Sequence, residues 1–115
     1  MRHRMIIAGL VLGLSALALA QSDRMATTRS LSGQIKDSAE APLPKAVVYL
    51  KNTKTLAVRT FIADDKGDYR FHSLAPNIDY EVYAEYNGKK SDTKTLSSFD
   101  SRSEAYINLK IDIRR

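Results

Sequence analysis

Apolar and polar residues alternate with period two through residues 31–113, in short runs broken by turn-forming residues roughly every eight to twelve positions, a pattern that argues for an all-β sandwich or barrel. Helical periodicity is absent from the same span. The chain has 115 residues, room for one domain. The roughly 95 residues behind its N-terminal segment suffice to bury about 60–70% of the unfolded surface in a single core. Cysteine is absent, which excludes a disulfide framework, a thiolate nucleophile and a thiolate metal site together.

The N-terminal segment reads as delivery. Residues 1–4 (MRHR) are a positive head, 5–19 an apolar run of 15 residues, and Ala18-Leu19-Ala20 an A-x-A site before polar Gln21. This is the three-part layout of a secretory signal peptide over residues 1–20. The run falls short of the roughly 20 residues that span a bilayer as a helix. No membrane span is therefore expected after cleavage, an uncleaved N-terminal anchor being the alternative. Residues 21–30 (QSDRMATTRS) have no apolar period and read as a flexible leader. The protein is accordingly expected to be secreted, or held in the periplasm or cell envelope. Without cysteine it lacks the lipid-attachment residue of a bacterial lipoprotein.

Seven strands are expected after the leader. In the first, residues 31–36, Leu31, Gly33 and Ile35 share one face. A loop at 37–44 follows, its prolines unable to donate to a ladder. The second strand, 46–51, points Ala46, Val48 and Leu50 inward and Val47, Tyr49 and Lys51 outward. The third, about 56–63, carries apolar residues in both phases, Val58 with Ile62 and Ala57 with Phe61, so its register stays open. Residues 64–67 (DDKG) form a hairpin turn in which Gly67 supplies positive φ. The fourth strand, 68–72, turns Tyr69 and Phe71 inward and Arg70 and His72 outward, with Leu74 plugging the core just beyond.

The fifth strand, 79–86, sets Tyr80, Val82, Ala84 and Tyr86 against Glu81, Tyr83 and Glu85. Asn87-Gly88 is the strongest hairpin signal in the chain. The sixth strand, about 90–96, is polar and lysine-rich, as edge strands are when lysine discourages pairing with a neighbour. After a loop at 97–103, residues 104–113 close the fold with Ala105, Ile107, Leu109, Ile111 and Ile113 inward.

The order G-Q-I-K-D, P-L-P-K-A-V-V-Y-L, A-D-D-K-G-D-Y-R-F, then L-A-P and Y-E-V resembles the carboxypeptidase regulatory-like domain, over about residues 31–113. The resemblance implies a seven-stranded transthyretin-like (prealbumin-like) β-sandwich of Greek-key type, among the carbohydrate-binding-like folds. It also implies that the second, third, fifth and sixth strands form one sheet and the first, fourth and seventh the other, so that Tyr49 and Tyr83 share an outer face. Where the family has a glycine before the fifth-strand tyrosine, this chain has Asn77-Ile78-Asp79, and Asn77 is expected to take the left-handed conformation there.

Candidate chemistry is sparse. The formal charge of +5 falls to about +3 once Arg2 and Arg4 leave with the signal, a mild excess that does not point to nucleic acid. His72 adjoins Ser73, but neighbours on a strand point to opposite faces, and no nucleophile elbow is present. The fold also hosts a purine-catabolic hydrolase, whose histidine-rich site and C-terminal motif have no counterpart here. Asp64, Asp65 and Asp68 lack the spacing of an EF-hand loop, and a hairpin turn accounts for them. One histidine in the mature chain leaves zinc without ligands. Lys36 and Asn108 are the obvious pair for a pilin-type isopeptide crosslink, but both lie in the outward phase and Ala84 stands where a fifth-strand glutamate would be needed. No cofactor is expected.

Tyr49 and Tyr83 remain as the positive hint of binding, since a rigid ring offers large contact area at low entropy cost. The expectation is a non-catalytic β-sandwich for protein binding or structural assembly in the cell envelope. Its partner would be an envelope protein or glycan in trans. The alternative is a small carbohydrate-binding protein that uses the tyrosine face.

Overall fold

The computed structural model describes residues 28–114. The expected signal peptide and all of the expected leader up to residue 27 lie outside them. Nine strands, not seven, form two sheets: β1 (Arg29–Lys36), β2 (Val47–Asn52), β3 (Val58–Ile62), β4 (Asp68–Leu74), β5 (Tyr80–Tyr86), β6 (Lys89–Lys90), β7 (Lys94–Leu96), β8 (Glu104–Tyr106) and β9 (Leu109–Lys110). One sheet has the order β4-β1-β8, with β9 also on β1; the other runs β3-β2-β5-β6, with β7 also on β5. The two sheets are those expected, and the count rises because the sixth and seventh strands are each interrupted. Among the described residues no helix is long and apolar enough to cross a membrane.

The sixth strand breaks at Ser91, whose N–H donates to the Ala84 carbonyl at 2.8 Å while its Oγ accepts from the Ala84 N–H at 2.9 Å. The last strand breaks where its backbone passes closest to β1. There a Cβ on Gly33 would lie 1.8 Å from the Ile107 carbonyl oxygen. The same oxygen accepts the Tyr69 hydroxyl at 2.6 Å, and Asn108 Oδ1 accepts from the Gln34 N–H at 3.0 Å. Parallel pairing with β1 resumes at Ile35 opposite Leu109. Burial among apolar neighbours pushes the Tyr69 phenol well above its ordinary pKa.

The core lies between the sheets. Leu31 and Ile35 of β1, Val48 and Leu50 of β2, Tyr69 and Phe71 of β4, and Tyr80, Val82 and Ala84 of β5 are buried, together with Leu43, Ala46, Leu109 and Ile111. Leu43, held between Pro42 and Pro44, is fully buried. Ile107 and Ile113 pack against this core while staying partly open. Gly67 takes φ 75°, and a Cβ there would stand 2.7 Å from the Ile35 carbonyl, so the turn and its packing both require glycine.

Three expectations are corrected. The first strand begins at Arg29, so Arg29 and Ser30 belong to the sheet and not to a leader. β4 carries a bulge: Arg29 pairs with Leu74 but Leu31 with Phe71, and the extra residue, Ser73, sits at φ 60°. The bulge shifts the phase, burying Leu74 and leaving both His72 and Ser73 exposed, so simple alternation does not hold through this pair. The left-handed conformation expected at Asn77 is taken at Ser73 instead.

Arg29 is 4% exposed. Its guanidinium donates to the carbonyls of Ala75 (3.1 Å), Ser97 (2.7 Å), Asp100 (3.4 Å) and Ile78 (2.5 Å) and lies 5.9 Å from the Tyr80 ring centroid. One side chain thus closes the loops after β4 and β7 over the end of the sandwich, giving a donor to the carbonyls of Ala75, Ile78 and Asp100 and a second one to Ser97, which also accepts from the Asp100 N–H.

In the second of these loops Arg102 donates to the Asp100 carboxylate from Nε at 2.9 Å and Nη2 at 2.6 Å, which holds the Asp100 pKa at about 2. A depressed carboxylate stabilises the fold above its unfolded pKa and loses that contribution as pH falls through the folded value. Asp100→Asn is therefore expected to lower the urea midpoint at neutral pH, and the gap to the parent protein should nearly close near pH 2. A gap that stays constant across that window would refute the assignment.

Candidate functional site

The outer face of the β3-β2-β5 layer carries the residues singled out from the sequence. Tyr49 and Tyr83 sit directly opposite one another in the β2–β5 register. Their rings stack, with centroids 4.9 Å apart and planes 18° from parallel. Both are half-buried. Lys51 and Glu81, the next cross-strand pair along that face, form an ion pair at 3.6 Å. Because both partners are well exposed, this pair contributes little stability and serves to keep the face polar at that end.

Around the tyrosines lies a hollow of about 240 Å³ lined by Tyr49, Lys51, Val58, Glu81, Tyr83 and Thr93. The Lys90 ammonium stands 5.6 Å from the Tyr83 ring centroid. Lys90, Val58 and Thr93 were not among the expected site residues. Lys90 was within reach of the sequence, because the two-residue Asn87-Gly88 turn places it opposite Glu85 and hence on the Tyr83 face. Thr93 was not, since its position follows from the break at Ser91.

The stacking decides what the face can offer. Each ring has one π-face against the other, and Lys90 covers the second face of Tyr83. The stack therefore offers fewer open π-faces than two separate rings would.

The other candidates are engaged elsewhere. Asp64 Oδ1 accepts from the N–H groups of Lys66 and Asp68, each at 2.9 Å, and so caps the turn. Among the described residues no group of three or more His, Cys, Asp or Glu side chains is placed to hold a metal. Lys36 lies beside Lys110, and its ammonium is 4.0 Å from Glu40. Glu40 in turn pairs with Lys110 at 2.5 Å, a bond that lowers its pKa. Asn108, the other half of the possible crosslink, spends its Oδ1 on the Gln34 N–H.

A model of the carboxypeptidase regulatory-like domain matches residues 30–111. A search of the curated proteins finds no match. Among solved structures the chain is similar to BcpA, the major pilin subunit of Bacillus cereus, with a TM-score of 0.58 at 15% identity, covering 75% of this chain and 30% of that one. It is similar to catechol 1,2-dioxygenase from Acinetobacter sp. ADP1 (TM-score 0.56, 14% identity, 75% and 53% covered). A double-mutant form of the shaft pilin SpaA from Lactobacillus rhamnosus GG gives 0.54 at 14% identity, with 77% and 48% covered. At these identities the likeness is one of fold, and the chain spans 30 to 53% of those proteins' length.

Proposed function

Because the chain belongs to the carboxypeptidase regulatory-like domain family, we propose that it is a secreted, non-catalytic module that docks a protein partner or builds structure in the cell envelope, with its partner supplied in trans. The stacked Tyr49–Tyr83 pair carries this reading. It is a preformed, rigid aromatic ridge flanked by charges of both signs, and such a ridge loses little entropy on docking. The likeness to two pilin subunits agrees with an assembly role, although, like the likeness to the dioxygenase, it is one of fold.

The test is chemical crosslinking in the native envelope with the parent protein and with Tyr49→Ala and Tyr83→Ala variants. Both variants are expected to keep the parent unfolding midpoint to within about 1 kcal/mol of stability, since the rings lie outside the core. Partner recovery should fall by about tenfold. Unchanged recovery in both variants would sink the proposal.

The hollow beside the rings, where two tyrosines meet Lys51, Glu81 and Thr93, favours a second reading, a small carbohydrate-binding protein. Envelope oligosaccharides added to labelled protein distinguish the two. Saturable shift changes confined to Tyr49, Lys51, Glu81, Tyr83 and Thr93 would support the glycan reader, and their absence the protein-docking module.

A further inference from the structure

β3 ends the order of its sheet, pairing with β2 on one side only. Its hydrogen-bond phase follows from its flanks. The Asn52 N–H donates to the Ala57 carbonyl and the Ala63 N–H to the Ala46 carbonyl, both across the β2 side. Backbone groups alternate in direction along an antiparallel strand, so those of Arg59 and Phe61 also face β2. The N–H and C=O groups of Val58, Thr60 and Ile62 therefore face the free edge, and among the described residues none of them has a hydrogen-bond partner.

This edge differs from the opposite one. β6 and β7 present Lys89, Lys90 and Lys94, the usual protection against pairing. β3 has no proline, no lysine and no acid, and all five of its residues are exposed. Val58 is 54%, Ile62 65% and Phe61 36% exposed. Its single charge, Arg59, donates from Nη1 to the His72 carbonyl at 3.0 Å, bridging to the edge of the other sheet.

The strand is also complementary to itself in reverse. Set antiparallel about Thr60, Val58 faces Ile62 of the second copy on the outer side of the sheet, where both side chains lie with Tyr49 and Val47. Thr60 faces Thr60. On the inner side Arg59 meets the exposed Phe61 ring, twice by symmetry, as a cation over an aromatic face. Apolar, hydroxyl and cation–aromatic pairs are each favourable cross-strand neighbours. In this register Val58–Ile62 and Thr60–Thr60 are the hydrogen-bonded pairs, the pairs whose backbone groups the monomer leaves free. The single charge does not oppose a second copy: Arg59 stays on the His72 carbonyl, and the two-fold axis sets the Phe61 side chain, not another charge, opposite it.

We propose that β3 is a homotypic docking edge through which two copies of this chain join antiparallel, β3 to β3, into one continuous sheet across a two-fold axis. The pairing is independent of the envelope partner proposed above, and it extends the Tyr49–Tyr83 face from one copy to the next. A single short strand pair buries less than the roughly 1,200 Å² of a standard stable interface, so the association is weak and concentration-dependent.

Sedimentation equilibrium of the purified protein over a wide concentration range, with hydrogen exchange read at single amides, tests it. A reversible monomer–dimer equilibrium is expected, with the Val58, Thr60 and Ile62 amides protected only at high concentration. Thr60→Pro removes an N–H that bonds nothing within the monomer, so it should leave the fold intact while weakening dimerisation at least about tenfold. Ile62→Lys, on an exposed outer position, should do the same without touching the backbone. A protein that stays monomeric with those three amides unprotected would overturn the proposal. So would a dimer that both variants leave unchanged.

Discussion

Arg29→Ala is expected to lower folding stability by about 3–5 kcal/mol, the range for removing one side of a buried, charged hydrogen-bond cluster. The loss has two parts. Four charge-assisted contacts disappear, and the carbonyls of Ala75, Ile78 and Asp100 are left around a space that water must enter to satisfy them, while Ser97 keeps the Asp100 N–H. Arg29→Lys tests the geometry separately from the charge. A lysine ammonium has three donors at a single point and cannot span acceptors contributed by separate loops, so about half of the loss should remain. Urea unfolding of both variants is the measurement. A loss below about 1 kcal/mol for the alanine form would show that the loops hold themselves closed.

Gly33→Ala is expected to be as damaging, at about 3 kcal/mol or more, because the added methyl meets backbone and not a movable side chain. Its Cβ would lie 1.8 Å from the Ile107 oxygen, 2.7 Å from the Ile107 carbonyl carbon and 2.8 Å from Tyr69 Cε2. Relief requires the segment between β8 and β9 to move away from β1, which also breaks the bond from the Tyr69 hydroxyl to Ile107. Amide exchange gives the specific signature. Protection at Ile107 and Ile111, whose N–H groups bond to the Ser32 and Lys36 carbonyls, should fall first. Retention of that protection in the variant would contradict the close-approach role.

Much of the sandwich was legible because strand alternation is a local property. Ala46, Val48 and Leu50 on one side, and Tyr49 on the other, follow from a two-residue period once the strand is found. The same period, with the Asn87-Gly88 turn, puts Tyr83 outward beside Lys90. Where the pattern was ambiguous, at 56–63, the structure explains the ambiguity: an edge strand exposed on both faces is under no burial pressure to separate its two phases. The bulge at Ser73 was hidden for a related reason, since one inserted residue moves Leu74 inward without changing the composition around it.

Local chemistry by itself determined the all-β class, the Gly67 and Asn87-Gly88 turns and the outward placement of Tyr49 and Tyr83, because each depends on residues a few positions apart, whereas the division into two sheets was legible only through the family resemblance. Tertiary structure alone decided three other matters: that Arg29 is a buried clamp, that the last strand parts at Ile107 to pass Gly33, and that the tyrosines stack on each other. Each depends on groups brought together from distant parts of the chain. Arg29 alone reaches carbonyls 46 to 71 residues away, and no local period records which backbone oxygens a folded chain will leave waiting for a donor.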